Sequence, residues 1–173
     1  MIRIRPAGPM DAGAIAHVQV ETWRDTYAGI LPDHVLLRMS EPRECAMWRR
    51  VLASPDIVLV AEEDSDGVIG FASAGPNRQR SLAYSGEVYT LYVLPGRQGQ
   101  GLGRRLLHRQ FGALKRAGHG SAVLWVLDAN PARYFYEAMG GTRVAERDEP
   151  LWGTVLHEAA YGWAALPVPR GLQ

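Results

Sequence analysis

A single cysteine, Cys45, is all the thiol the chain carries. It cannot close an internal disulfide, and one thiol cannot build a cysteine zinc site. A reducing compartment, the cytoplasm, is the natural expectation. Long apolar runs are missing too. The longest, such as Ala122 to Leu127, reach six residues, against the roughly 18 needed to span a bilayer. The start, Met1-Ile2-Arg3-Ile4-Arg5, has basic residues but no apolar core behind them, so neither a secretory leader nor a membrane partner is expected. Excess charge of either sign is absent: Lys and Arg total 19, Asp and Glu total 18. That balance argues against a dedicated binder of nucleic acid or of anionic membranes. Five histidines, His17, His34, His108, His119 and His157, are scattered without ligand spacing, so no metal site is expected. Internal repeats and low-complexity blocks are also lacking.

What is present fits a globular chain. Hydrophobic residues make up 47% and charged residues 21% of 173 residues, which suits one packed domain. That domain is expected over residues 1–165, and the proline-rich end, residues 166–173, is expected to be a flexible tail. Alternation over residues 2–5 predicts a short strand. Asp11 is placed to cap a helix carrying Ile15, Val18 and Trp23. A second helical region runs from about Pro32 to Leu52, with a break at Glu41-Pro42. Residues 57–61 and 68–74 form a hairpin across Asp64-Ser65-Asp66-Gly67. A strand over 87–94 stops at Pro95, and a helix follows with Leu102, Leu106, Leu107, Phe111 and Leu114 on one face, ending at Gly118. The apolar run 122–127 reads as a strand buried on both faces. Asn130-Pro131 opens another helix, and two strands occupy 142–147 and 154–163. The fold class is α/β with a central mixed sheet.

Between the strand ending at Leu94 and the helix beginning near Leu102 lies Pro95-Gly96-Arg97-Gln98-Gly99-Gln100-Gly101-Leu102-Gly103-Arg104-Arg105. Glycines let successive N–H groups converge, and the following helix adds unpaired N–H groups and the positive end of its dipole. Arg104 and Arg105 in the first turn oppose that dipole unless an anion binds there. Together these features describe a phosphate or pyrophosphate site. The P-loop pattern fails, because Leu102 and Gly103 stand where Lys and Ser/Thr are required. The dinucleotide fingerprint fails at Arg104. A serine-hydrolase elbow fails at Gly70-Phe71-Ala72-Ser73-Ala74-Gly75, where Phe71 breaks the pattern.

Gln98-Gly99-Gln100-Gly101-Leu102-Gly103 does match an acyl-CoA loop, Gln/Arg-x-x-Gly-x-Gly/Ala. With Leu91-Tyr92-Val93-Leu94-Pro95 before it and Asn130-Pro131-Ala132-Arg133-Tyr134-Phe135-Tyr136 after it, the chain resembles the GCN5-related N-acetyltransferase (GNAT) family. The motifs span residues 87–141 in the family's order. Gly141 departs from it, since an aromatic residue more often follows the glycine. The resemblance implies a GNAT-type fold: a mostly antiparallel twisted sheet flanked by helices, with splayed central strands.

The resemblance also implies a chemistry, residue by residue. Acetyl-CoA, the implied co-substrate, would lie between the strands ending at Leu94 and near Asp128. Leu91, Tyr92 and Val93 would line its pantetheine arm, the backbone of Leu91 and Val93 pairing with it and directing an N–H at the thioester carbonyl. Gln98, Gly99, Gln100, Gly101, Leu102, Gly103 and Arg104 would hold the pyrophosphate. Asn130 would hydrogen-bond near the pantetheine, a role that coexists with capping its own helix. Tyr136 would give a proton to the departing thiolate, whereas Tyr134 points elsewhere. Glu87 would take the amine's proton through water; a strand-start carboxylate in solvent is the alternative. Trp23 and Tyr27 would wall the acceptor pocket, or pack their helix against the sheet. The implied function is direct acetyl transfer to a primary amine of a small molecule, or of a protein or peptide, in a ternary complex. A non-catalytic acyl-CoA sensor and a nucleotide-binding protein are the rivals. Homodimers are common in the family, but the sequence offers no clear interface.

Overall fold

The computed structural model describes residues 1–167. Its chain order is β1 (Ile2–Pro6), α1 (Ala12–Tyr27), α2 (Asp33–Arg38), α3 (Glu41–Leu52), β2 (Ile57–Glu63), β3 (Gly67–Pro76), β4 (Gly86–Val93), α4 (Leu102–Arg116), β5 (Ala122–Leu127), α5 (Ala132–Ala138), β6 (Thr142–Leu151) and β7 (Thr154–Trp163), with a short 3₁₀ turn at Pro9–Asp11. The seven strands form one sheet in the order β1-β2-β3-β4-β5-β7-β6. Every neighbouring pair is antiparallel except β4–β5, which is parallel. This is the expected mixed, mostly antiparallel sheet flanked by helices.

The helices divide between the two faces. On one, Leu107, Phe111 and Leu114 of α4 are fully buried against Val88, Leu124 and Tyr161, with Tyr136 of α5 joining them, while Leu106 is buried among Leu59, Ala61 and Ile69. Burial of each such side chain contributes roughly 1.5–3 kcal/mol. On the other face Ile15 and Val18 of α1 and Trp48 of α3 pack on Val58, Val60 and Phe71. The α4 stripe follows from its i, i+4 apolar spacing, and Gly118, at φ 96°, ends it as expected.

Local departures from the expected pattern have physical causes. The break between α2 and α3 falls at Met39-Ser40, where the Ser40 hydroxyl accepts from Arg43 N at 3.4 Å. Pro42 sits inside the first turn of α3, where no N–H is needed. The Asp11 carboxylate accepts from Gly8 N at 2.7 Å and from Arg5, so it fastens the 3₁₀ turn rather than capping α1. Strand β6 continues to Leu151 because Trp152 (φ 46°) and Gly153 (φ 81°) close a tight hairpin to β7. Leu166, expected at the start of the tail, is buried and its N–H donates to the Gly120 carbonyl at 2.9 Å. Residues 168–173 of that tail lie outside the described residues.

Candidate active site

Strands β4 and β5 pair only at Gly86–Ala122, Glu87–Val123 and Val88–Leu124. Beyond Val88 they diverge. The register of β3 on β4 shifts there, Ala74 facing Val88 and Ser73 facing Thr90, so Tyr89 is an extra, bulged residue. A bulge bends its strand and increases its twist, which turns β4 away from β5. Among the described residues, one edge of β4 is left without a strand partner from Tyr89 to Val93. The opening is a cleft of about 1040 Å³ that runs from α1 through the sheet to α4 and α5.

At the α4 end the cleft is floored by the glycine loop. Gly96, Gly99 and Gly101 have φ of 68°, 76° and 77°, a left-handed backbone that side-chain-bearing residues avoid. Gly101 immediately precedes α4, and a Cβ added there would point into open space. Gly99, Gly101, Gly103 and Arg104 line the cleft. The Gln98 amide donates to the Val93 carbonyl at 3.0 Å, clamping the loop to the end of β4. Gln100 is exposed and Leu102 is buried in the core, and neither is among the residues that line the cleft. Arg97 pairs with Glu63 and Asp66, and Arg105 donates to the Ile2 carbonyl.

In the middle of the cleft stands Tyr136, 5% exposed, its hydroxyl without a hydrogen-bond partner among the described residues. Burial, with Tyr92 nearby, pushes this phenol well above its ordinary value of 10.0. Tyr134 is 59% exposed, as expected, with the Arg133 guanidinium over its ring. Asn130 has a divided amide. Its Oδ1 accepts from Ala132 N at 2.9 Å, closing the turn that leads into α5, and its Nδ2 donates to the Tyr27 hydroxyl at 2.9 Å. One N–H and further acceptor capacity remain. Helix α5 starts at Ala132, with Pro131 rather than Asn130 at its N-cap position, one residue later than expected. Trp23 and Tyr27 meet edge to face at 4.7 Å, and Trp23 Nε1 donates to the Tyr92 hydroxyl at 3.1 Å. These two residues both pack α1 on the sheet and line the cleft.

Glu87 is 2% exposed, not a solvated carboxylate. Its Oε1 accepts from Arg78 N at 3.0 Å, and its Oε2 from Arg78 Nη2 at 2.6 Å and Nε at 3.2 Å. The Arg78 guanidinium lies over the Tyr89 ring at 4.0 Å. The sequence alone gave no sign of Arg78 as a site residue, nor of a second group on the same sheet face. There Arg147 stacks on Trp125 at 4.0 Å, and its Nε stands 3.4 Å from Glu149 and 3.5 Å from Glu158. Burial raises the Glu158 carboxyl above its ordinary 4.5, while Arg147 draws it down. A carboxylate flanked by apolar neighbours in a strand, Leu156 and Ala160, was the only signal available for it. Elsewhere the fold brings His17, Glu21 and Glu41 together, with ligand atoms within 4.8 Å of one another. None of the three lines the cleft, and His17 Nδ1 already meets Glu41 at 2.7 Å. Among the described residues no helix is long and apolar enough to cross a membrane.

Comparison with known proteins gives this cleft a context. Residues 54–140 match the model of an acetyltransferase (GNAT) domain. The chain is 37% identical to the uncharacterized N-acetyltransferase YuaI of Bacillus subtilis (strain 168) over 99% of this chain and 98% of that protein. It superposes on the solved structure of yncA from Salmonella typhimurium with its cofactor acetyl-CoA, at a TM-score of 0.71 and 26% identity, covering 100% of this chain and 98% of that one. The fold also matches the PaiA N-acetyltransferase of Thermoplasma acidophilum in complex with coenzyme A, at a TM-score of 0.66 and 22% identity over 92% and 98% of the two chains.

Proposed function

Because this chain belongs to the GNAT family and is an N-acetyltransferase, we propose that it transfers an acetyl group from acetyl-CoA directly to a primary amine of a small molecule. The observation that carries this reading is the unpartnered edge of β4, running from the Tyr89 bulge to a left-handed glycine loop, with the Tyr136 hydroxyl in the same cleft. An extended arm adds to such an edge as a further strand. The acetyl-CoA bound by yncA supports the choice of co-substrate. Leu91, Tyr92 and Val93 would hold the pantetheine. Backbone N–H groups of 98–104, with Arg104, would hold the pyrophosphate, and the free N–H of Asn130 would reach the arm between them.

Acetyl-CoA, when bound, supplies an acyl group activated as a thioester. The rest falls to the protein. A backbone N–H of β4 would stabilise negative charge developing on the carbonyl oxygen, a contribution of about 3 kcal/mol in comparable sites. Tyr136, kept protonated by burial, would hold its proton at Oη for the departing sulfur. Glu87, fixed by Arg78, would govern the field around the bulge and any water chain leading from it. No serine or cysteine lines the cleft among the described residues, and Cys45 packs between α1 and α3 instead. That favours transfer in a ternary complex. The cleft's walls of Trp23 and Tyr27 favour a small acceptor, and the lone free thiol fits a cytoplasmic enzyme.

A panel of small amines, amino acids, polyamines and peptides, assayed by thiol release, tests this reading. Release that requires both acetyl-CoA and one class of amine is the expected result. Tight acetyl-CoA binding with no amine-dependent release from any member would overturn it.

A further inference from the structure

Building on the acetyl-transfer reading above, we propose that Glu158 seats the acceptor's ammonium group and takes its proton. A primary amine enters at neutral pH as an ammonium, which has no lone pair to attack with. Something in the cleft must remove that proton. Glu87 and Glu158 both face the α1 side of the sheet, because their partners on β5, Val123 and Leu127, are an even number of residues apart.

Their surroundings differ. Glu87 accepts three hydrogen bonds from Arg78 and sits where β4 and β5 are still paired. Glu158 lies beside the opening, opposite the last residue of β5. Among the described residues it accepts no hydrogen bond of normal length. Its nearest cation is Arg147 Nε at 3.5 Å, and that nitrogen is shared with Glu149 at 3.4 Å. The side chain is only 15% exposed. A carboxylate so little exposed, with so weak a partner, is costly until a cation completes it. The charged and titratable groups facing it are Arg147 and Glu149 from β6, Arg78 from the segment after β3, Tyr27 from α1 and Tyr92 from β4. Tyr27 and Tyr92 also neighbour Tyr136. All three phenols line the same cleft as Glu158. The Trp23 and Tyr27 rings beside them suit a cation before it is deprotonated.

The protons balance. The ammonium gives one to Glu158, breaking N–H and forming O–H, and Glu158 later passes it to solvent. The freed lone pair forms the C–N bond as C–S breaks. Sulfur takes the Tyr136 proton, and the second proton lost from nitrogen restores the phenol.

The test measures kcat/KM from about pH 6 to about pH 10 with the best amine found in the thiol-release panel, for the unaltered protein, Glu158→Gln and Glu87→Gln. Glu158→Gln is expected to lose about 100-fold near pH 7 and to regain about tenfold per pH unit towards the amine's own pKa, where the free base is supplied by the solvent. With a weakly basic acceptor, already neutral at that pH, its loss is expected to stay within about threefold. Glu87→Gln is expected to lose activity equally across the profile. Acetyl-CoA affinity and melting temperature report folding, and Glu158→Asp, which keeps the carboxylate, should restore part of the rate. The proposal is overturned if Glu158→Gln follows the unaltered profile, if its loss is the same at every pH and for both acceptors, or if the pH-dependent loss belongs to Glu87→Gln. Absence of turnover by the unaltered protein would instead bring down the acetyl-transfer reading itself.

Discussion

Burial holds the Tyr136 proton on its oxygen throughout the range in which an amine acceptor loses its own. Removing that oxygen should therefore affect the departure of sulfur and little else. Tyr136→Phe is expected to lower kcat roughly 100-fold with the acetyl-CoA dissociation constant nearly unchanged, a comparison made by steady-state thiol release and calorimetry. Unchanged turnover at every pH would remove the phenol from the reaction. Glu158 carries a second consequence at this scale. Its folded-state pKa is raised, chiefly by burial, so the folded protein holds that proton more tightly than the unfolded chain. The contribution is favourable below the ordinary value of 4.5 and is lost as pH rises through the raised value. Glu158→Gln should thus melt higher than the unaltered protein near neutrality and converge with it in acid, even while its activity falls. Differential scanning calorimetry at two pH values decides this. Tyr136 could be found in the sequence because it stands in a recognisable motif. Glu158 could not, since a charge in an alternating strand reads as a surface residue. Its burial appears only once β7 is paired with β5 on one side and β6 on the other.

At the scale of elements, the glycine loop makes a separable claim. Gly101 has φ 77° and open space where a Cβ would stand. Gly101→Val should therefore fold, losing about 1–2 kcal/mol for a left-handed side-chain-bearing residue, while its side chain fills the place assigned to the pyrophosphate. Urea unfolding and isothermal titration with acetyl-CoA should show modest destabilisation beside a loss of affinity of at least tenfold. Normal affinity in the folded variant would remove the loop from the binding site. The strands, the α4 stripe and the ends of α4 were legible because each rests on local periodicity and on glycine. The Tyr89 bulge was not, because a bulge is a relation between two strands, here Ser73 and Ala74 against Val88 and Thr90. The divergence of β4 from β5 was accordingly available only through likeness to a family. The break between α2 and α3 was displaced for a simpler reason. Proline is the interruption that local sequence shows, at Pro42, whereas Ser40 caps α3 two residues earlier.

For the molecule as a whole, the strand at the outer edge of the sheet is tied down by charge. Arg5 holds Asp11 at 2.8 Å and Glu62 at 3.1 Å, and Arg3 holds Glu62 at 2.8 Å. Arg5 lowers the Asp11 carboxyl below 3.8, and hydrogen bonds from Arg5 and Arg3 bring Glu62 from 4.5 down to about 2. Because these folded-state values are depressed, the stability they contribute is complete above the ordinary carboxylate range. It is lost as pH falls through that range towards about 2. Arg5→Met should be less stable than the unaltered protein at neutral pH, and urea unfolding should show the gap narrowing as the solution is acidified.

Among the described residues, the three β4–β5 register pairs are also the only place where the two halves of the sheet, β1 to β4 and β5 to β7, are joined by strand pairing. Whatever fills the gap beyond them becomes mortar between two slabs. Saturation with acetyl-CoA at about a hundred times its dissociation constant should then add roughly 2.7 kcal/mol to unfolding. Amide hydrogen exchange should slow on both banks of the cleft, in β5 and β7 as well as in β4, so that the donor molecule completes the architecture of the enzyme that consumes it.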